Sequence, residues 1–217
     1  MRNRLKTLSR PIAAMMLGLY AILPVSAQKP EELDEMSFAE ILNSVDPGKQ
    51  VDLVRTFQER EASSVLLKNR NITEANGCTV DAIRNREVLV VTITASKLFG
   101  PNQTELLESA GRFLEPFRRY LKEPDMYRVL VVMPTDNTGS EAYRENLTVE
   151  RAEAVADWFE ASGIDTEYLF PFAMSDDIPL VANDSFENRE RNRRLEIYLV
   201  PGEKMIEKAK KGRIVKK

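Results

Sequence analysis

The stretch that most constrains the fold is an apolar run, Arg128–Met133, which leads directly into turn-forming residues and then a helical pattern. Five consecutive apolar residues, 129–133, are typical of a strand buried on both faces of a sheet. A turn follows in residues 135–139, which read TDNTG, and helical periodicity resumes near Thr148. This order predicts a layered structure in which helices pack on a sheet and the polar turn lies at one end of it.

Two charged residues near this turn are candidates for binding. Arg151 would lie in the first turn of a helix capped by Thr148, where the helix dipole disfavours a cation by roughly a few tenths of a kcal/mol. Asp136 follows the buried strand, a usual place for a ligand group on a rigid scaffold. A carboxylate beside a guanidinium suits a zwitterionic ligand, and a second basic cluster, Arg189–Arg194, adds capacity for anions. On residue types alone, a surface pair between Arg151 and a neighbouring glutamate is the simpler interpretation.

The first 27 residues are predicted to be a secretory signal peptide. Four basic residues precede the apolar segment Pro11–Leu23, and Val25–Ala27 offers small residues for cleavage before Gln28. An uncleaved anchor is the weaker alternative, because the apolar segment is short for a membrane span. No transmembrane segment is expected after cleavage, and too few residues precede the globular part for an N-terminal transmembrane barrel.

Composition narrows the functional classes. The formal net charge is −3, and loss of the four basic residues of the leader would change it to −7, which disfavours nucleic acid as a partner. The chain has no histidine, Cys78 is its only cysteine, and it lacks a glycine-rich phosphate loop, so we expect no metal site and no cofactor. No carboxylate pair stands out and no serine has a histidine partner, so we do not expect an enzyme.

Hydrophobic periodicity divides the remaining chain into three parts. Residues 28–76 predict a short helical region that is either a cap on the main domain or a spacer, and residues 77–202 predict the main domain. The order β-α-β-α-β-β predicts an α/β fold, an α+β sandwich whose mixed sheet has helices packed on one face. The predicted strands are 78–83, 87–95, 128–133, 168–173 (weakened by Pro171) and 194–200, and the predicted helices are 104–121 and 149–162. Residues 203–217 are basic; we expect a frayed, solvated end, or else a weak contact with an anionic envelope polymer or lipid headgroups.

The order of motifs resembles the OmpA-like C-terminal domain family. The family pattern is roughly G-H-T-D-x-x-G-x-x-x-Y-N-x-x-L-S-x-x-R-A, followed later by G-R-x-x-N-R-R. The matching residues here are Thr135–Gly139, Tyr143, Leu147, Thr148, Arg151, Ala152, Val155, Gly163, Ile164, Pro179, Asn183 and Asn192–Arg194. The interval between the motif's Asp and its Arg is the same, and the resemblance covers residues 86–200. It identifies the chain as a diverged member without an N-terminal barrel.

The resemblance implies a periplasmic domain that binds the peptide stem of peptidoglycan non-covalently and tethers an envelope component to the cell wall. In the family, the diaminopimelate ammonium meets the motif's Asp, here Asp136, and its carboxylate meets the motif's Arg, here Arg151. By the same match, Thr138, Asn102 and Arg193 are expected to support the pocket. Outer-membrane or other envelope proteins are further implied partners, with a location in the periplasm or peripheral to the outer membrane.

Several positions depart from the family pattern. Met133-Pro134 replaces Gly-His, Arg144 replaces the Asn after the Tyr, and Pro171 and Asn188 each replace a Gly. Arg144 places a long cation where a small polar ligand group is expected, so it either pairs with Asp136 or adds a contact to a ligand carboxylate. These departures leave open a second function, a diverged scaffold that acts in protein–protein assembly or adhesion at the outer membrane without binding the wall.

Overall fold

The computed structural model of the protein describes residues 6–7 and 30–214. Its strands are β1 (Lys6–Thr7), β2 (Cys78–Ile83), β3 (Val88–Thr94), β4 (Tyr127–Pro134), β5 (Leu169–Ser175) and β6 (Arg194–Pro201). They form one mixed sheet with the order β1-β5-β4-β6-β3-β2. β4 is buried along its whole length and pairs in parallel with β5 and antiparallel with β6. The predicted α+β fold with a mixed sheet is confirmed.

The helices lie before the sheet, between its strands and after its last strand. The α-helices of the described residues are α1 (Pro30–Asp34), α2 (Phe38–Leu42), α3 (Val51–Glu61), α4 (Gly111–Leu114), α5 (Glu141–Ala161), α6 (Phe186–Asn192) and α7 (Glu203–Lys210). Short 3-10 turns occupy residues 48–50, 74–76, 95–97 and 115–121, and a π-helical turn occupies 62–66. In the part of the chain that the structure describes, no helix combines the length and apolar character that a membrane span requires.

Most of the predicted signal peptide, residues 1–27, lies outside the described residues. The exception is β1, Lys6–Thr7, which pairs in parallel with Phe172 and Ala173 at the edge of β5. Cleavage of the leader therefore stays a prediction.

β5 shows how a proline is accommodated in the sheet. The carbonyl of Tyr168 accepts a hydrogen bond from the backbone N–H of Val129 in β4, at 2.8 Å. Successive residues of a strand turn their peptide groups to opposite sides, so Pro171 turns its nitrogen away from β4. The missing N–H of Pro171 therefore removes no bond to the central strand, and the strand forms as predicted.

Four helices, α3, α4, α5 and α7, cover one face of the sheet. The core on this side includes Val54 of α3, Phe113 of α4, Val155 of α5 and Met205 of α7, and each of these side chains is at most 1% exposed. Burial of this apolar area is the main stabilising term of the fold. It also fixes α5 against the sheet, and α5 carries part of the candidate site.

The N-terminal helices α1 and α2 pack on the opposite face of the sheet, as a cap would, whereas α3 packs on the face described above. Leu33 of α1 and Ile41 of α2 are fully buried against this face. Phe38 makes edge-to-face contacts with Phe172 of β5 and Tyr198 of β6, with ring centroids 5.7 and 5.1 Å apart. Both faces of the sheet are thereby shielded from water.

The helix predicted over residues 104–121 is wrong in its extent. Only α4 is α-helical, and residues 115–121 continue as a 3-10 turn. Pro116 lacks the N–H that an α-helix would donate to the carbonyl of Arg112. That carbonyl accepts instead from the side chain of Asn71, at 3.1 Å. The apolar residues have helical spacing, but the proline limits the α-helix.

The expectation of a frayed C-terminal end is also wrong. α7 continues the chain after β6, and Met205, Ile206 and Ala209 are buried together with Ile214 further on. These residues recur at helical spacing among the lysines, so an amphipathic helix forms whose charged side faces outward. The basic composition of residues 203–217 concealed this apolar face.

Candidate functional site

A cavity of about 670 Å³ opens at one end of the sheet, where the chain leaves β3 and β4 and enters β6. Five of the six predicted site residues line it: Asn102, Asp136, Thr138, Arg151 and Arg193. The other lining residues are Thr94, Ala95, Ser96, Phe99, Gly100, Pro101, Leu107, Thr135, Tyr143, Leu147, Phe186 and Glu190. The sixth predicted residue, Arg144, is not among them.

Asp136 lies where β4 ends, with only 3% of its surface exposed. Its Oδ1 accepts from the backbone N–H of Thr138 at 2.9 Å, and its Oδ2 accepts from Nη1 of Arg193. Burial by itself raises the pKa of this carboxyl, but the hydrogen bonds from Thr138 and Arg193 and the charge of Arg193 outweigh it, so the pKa lies below its ordinary value. Asp136 is therefore an anion at neutral pH.

Arg193 reaches Asp136 because their strands are neighbours. It directly precedes β6, and β6 pairs antiparallel with β4, at whose end Asp136 lies. The Arg193 carbonyl also accepts from the backbone N–H of Ala95 at 2.9 Å, which ties it to the end of β3. The guanidinium lies 5.5 Å from the ring centroid of Phe186.

Arg151 is held by the loop after β3. Its Nε donates to the carbonyl of Gln103 at 2.9 Å, and its Nη2 donates to that of Gly100 at 3.4 Å. The guanidinium lies 4.8 Å from the ring centroid of Phe99. Burial lowers the pKa of Arg151, the nearby Tyr143 raises it, and the charge of Arg193 lowers it further. An arginine keeps its proton at neutral pH regardless, so the side chain presents a fixed cation to the cavity.

The helix that carries Arg151 begins earlier than predicted. α5 starts at Glu141, and the Ser140 side chain caps it by accepting from the backbone N–H of Tyr143. Thr148 is not a cap: its hydroxyl donates back to the carbonyl of Arg144 at 3.0 Å and accepts from the backbone N–H of Ser175. Arg151 thus lies in the third turn, and the predicted conflict with the helix dipole does not arise.

The periodicity of α5 decides which of its side chains face the cavity. Tyr143, Leu147 and Arg151 recur every four residues, so they lie on one side of the helix, and all three line the cavity. Arg144 is rotated from them by about 100°. Its Nε donates to Asp176 at 2.8 Å and its Nη1 to the carbonyl of Gly139 at 2.7 Å. Both predicted roles of Arg144, a pair with Asp136 and a contact in the pocket, disagree with this placement.

Asn102 lies in the same loop as Gly100 and Gln103 and adopts a left-handed conformation with φ of 57°. Its Oδ1 accepts from the hydroxyl of Tyr143 at 3.0 Å. The loop is thus bonded to α5 twice, once through Asn102 and once through Arg151. These contacts hold one wall of the cavity at the helix.

Sequence reasoning missed several lining residues. Tyr143 belongs to the matched motif and repeats with Arg151 at helical spacing, which would have identified it. Phe99, Phe186 and Glu190 carry no motif signal, because their place at the cavity depends on how the loop after β3 and α6 fold against each other. The backbone carbonyls that anchor Arg151 likewise leave no trace in the residue types.

The cavity is balanced in charge. Asp136 and Glu190 supply two carboxylates, and Arg151 and Arg193 supply two guanidiniums. Aromatic and aliphatic side chains line the cavity between these charged groups, and one of them, Phe99, is buried in the wall. Such a site favours a ligand that carries both charges over a simple anion or cation.

The sequence of this region matches a known family. The OmpA family model matches residues 98–193, a segment that contains all six predicted site residues. This segment is the OmpA-like part of the chain, and the sheet that frames it also includes strands outside these bounds, among them β3 and β6. The resemblance found in the sequence is confirmed.

Curated relatives share the OmpA-family domain. Outer membrane protein A of Bordetella avium is 28% identical over 114 residues, which cover 52% of this chain and 59% of that protein. The peptidoglycan-binding protein ArfA of Mycobacterium bovis is 32% identical over 101 residues, which cover 46% of this chain and 31% of that protein. The chain thus spans less than two thirds of the length of these relatives.

A solved structure shares the fold of the OmpA-family domain. It is a MotB-like protein from Desulfovibrio vulgaris, with a TM-score of 0.60 and 22% identity. The similarity covers 71% of this chain and 95% of that chain. The aligned part of this chain is therefore longer than the family segment, residues 98–193.

Proposed function

We propose that this OmpA-family domain binds peptidoglycan non-covalently, by holding the zwitterionic end of a stem-peptide diaminopimelate between Asp136 and Arg151. The observation that carries the proposal is that both side chains line one cavity and each is fixed there by protein contacts. A site whose charges are already oriented loses little entropy when the ligand binds.

Asp136 has acceptor capacity left for an ammonium. A carboxylate offers about four acceptor positions. Thr138 and Arg193 occupy positions on both oxygens without exhausting them. Because the carboxyl is buried and ionised, a ligand ammonium that reaches it forms a charge-assisted hydrogen bond, which is roughly twice as strong as a neutral one.

Arg151 has donor capacity left for a carboxylate. A guanidinium has five N–H groups. Two of them, the one on Nε and one of the two on Nη2, donate to carbonyls of the loop after β3. No described residue accepts from Nη1. The Nη1–Nη2 end of the guanidinium can therefore bind a carboxylate through two parallel hydrogen bonds, a geometry that a lysine cannot reproduce.

Three further points support the same function. ArfA, which is named as a peptidoglycan-binding protein, shares the OmpA-family domain. Arg144 contacts Asp176 and does not pair with Asp136, so this one of the departures from the family pattern does not oppose wall binding. A further relative is named as an outer membrane protein, which fits a tether in the periplasm or at the outer membrane.

Sedimentation with purified peptidoglycan sacculi tests the proposal. We expect the wild-type protein to sediment with sacculi, and we expect Asp136→Asn and Arg151→Lys each to weaken binding by about tenfold or more. The first substitution removes the anionic acceptor for the ammonium, and the second removes the two parallel hydrogen bonds to the carboxylate. The Arg144→Ala variant is the matched control, since it removes a cation of α5 outside the cavity and should bind as wild type does.

Folding of each variant is checked first by thermal unfolding, because Arg151 also anchors a loop. If the wild type stays in the supernatant, or if folded Asp136→Asn and Arg151→Lys sediment as well as wild type, the proposed function is refuted. A loss in Arg144→Ala as large as that in Arg151→Lys would show that binding does not depend on the cavity, because Arg144 lies outside it, and this also contradicts the proposal.

A further inference from the structure

The cavity is larger than the zwitterionic end of diaminopimelate requires. Its volume of about 670 Å³ lies within the range of about 300–1,000 Å³ typical of pockets for whole small ligands. In the proposed binding mode, the ammonium and the carboxylate on one carbon contact Asp136 and Arg151. The remaining space is lined by a second group of residues, Ser96, Phe186 and Glu190.

These residues come from two segments that meet at the cavity. Phe186 and Glu190 are one turn apart on α6 and so lie on the same side of it. Ser96 lies in the 3-10 turn that follows β3, and its hydroxyl donates to Oε1 of Glu190 at 3.2 Å. Phe186 keeps 63% of its surface exposed beside them. The carboxylate of Glu190 is thereby held at an apolar rim.

Glu190 differs from Asp136 in how its charge is matched. Arg193 pairs with Asp136, whereas no described cation lies within ion-pair distance of Glu190. The hydrogen bond from Ser96 is neutral and uses one of about four acceptor positions. Glu190 therefore presents an anionic acceptor with free capacity to whatever occupies this part of the cavity.

We propose that Glu190 and Ser96 form a selectivity subsite that favours stem peptides whose groups beside the diaminopimelate zwitterion are carboxamides over those whose groups are free carboxylates. The inference rests on the proposed function. A carboxamide N–H donates to Glu190, and the Ser96 hydroxyl, whose one proton is donated to Glu190, holds that carboxylate in place. A free carboxylate has no proton to donate and is repelled by the Glu190 charge.

Two synthetic stem peptides test the subsite. Both contain the same diaminopimelate zwitterion, and they differ only in that the other carboxyl groups are free in one peptide and carboxamides in the other. Isothermal titration of the wild-type protein should give about tenfold tighter binding of the carboxamide peptide. Glu190→Gln keeps the shape of the side chain and removes its charge. This variant should bind the carboxylate peptide more tightly than wild type does, and its preference for the carboxamide peptide should fall to about twofold or less.

The matched control is Glu187→Gln, which removes a charge from the exposed side of α6 and should keep the tenfold preference. If wild type binds both peptides equally through Asp136 and Arg151, or if Glu187→Gln loses the preference as Glu190→Gln does, the subsite is refuted and the proposed function stands. If wild type binds neither peptide, while the Asp136 and Arg151 variants sediment as wild type does, both are refuted.

Discussion

The ion pair between Asp136 and Arg193 makes a prediction about stability that is independent of any ligand. The substitution Asp136→Asn keeps the size of the side chain and an oxygen that can accept from the backbone N–H of Thr138. It removes the charge that pairs with Arg193. The guanidinium is then left partly buried beside a neutral group.

The magnitude follows from how exposed the two side chains are. Hydrogen bonds to charged groups contribute about 1.5–3 kcal/mol to stability. The Asp136 side chain is 4% exposed, but that of Arg193 is 30% exposed, so water still solvates the guanidinium and the loss lies near the lower limit. We expect Asp136→Asn to lower the free energy of unfolding by about 1.5 kcal/mol at pH 7.

The effect should depend on pH with a definite sign. The pKa of Asp136 is lowered in the folded protein, because hydrogen bonds and the charge of Arg193 outweigh the effect of burial. A lowered pKa stabilises the fold above the carboxyl's ordinary pKa of 3.8, and this contribution is lost as the pH falls through the folded-state value. The difference in free energy of unfolding between wild type and Asp136→Asn should therefore have its full size at neutral pH and become smaller under acid conditions.

Urea unfolding, followed by the fluorescence of Trp158, measures the free energy of unfolding and its dependence on pH. Trp158 is the only tryptophan of the chain. Asp176→Asn is the control, because the carboxylate that it neutralises is 26% exposed, against 4% for Asp136, and its loss should cost less than about 1 kcal/mol. If Asp136→Asn unfolds as wild type does at pH 7, the pair does not stabilise the fold. If the difference in free energy of unfolding stays constant from neutral pH to well below pH 3.8, the charge of Asp136 is not its cause.

Three further substitutions test the scaffold by chemical denaturation. Gly139→Ala should lower the free energy of unfolding by about 1–3 kcal/mol, because φ is 88° and the new Cβ would lie 2.8 Å from the ring of Tyr143. The control, Gly163→Ala, should cost less, because φ is 75° there but the new Cβ would meet open space. Asn192→Ala should cost about 2–4 kcal/mol, since this buried amide makes four hydrogen bonds to residues 180–183. Met205→Ala should cost about 2–5 kcal/mol through the cavity it leaves, whereas a frayed terminus would show no loss.

The strands could be predicted from the sequence because each is a local signal. The run of apolar residues in β4 and the dense β-branched residues of β3 indicate buried strands whatever the rest of the chain does. The pair of Asp136 and Arg151 could be predicted too, but only by matching a motif, since neither residue is unusual by itself. The sequence therefore identified the sheet and the two main charges of the candidate site.

The errors arose where tertiary contacts decide the outcome. Thr148 looked like a helix cap, but Ser140 and Gly139 place the start of α5 two turns earlier. This shift alone determines that Tyr143 faces the cavity and Arg144 does not. The carbonyls that hold Arg151 and the meeting of Ser96 with Glu190 depend on loops folding against helices, which residue types do not encode.

The interval between Asp136 and Arg151 is a geometric requirement of the fold. β4 fixes Asp136 at the end of the sheet, the turn through Gly139 fixes the start of α5, and Arg151 then faces the cavity because it lies two four-residue steps after Tyr143. A change of one residue in this interval would rotate the arginine by about 100°. Arg144 demonstrates the consequence, since it lies one position from Tyr143 on the same helix and contacts Asp176 instead of the cavity. The spacing therefore carries the information about the site that the two residue types do not carry alone.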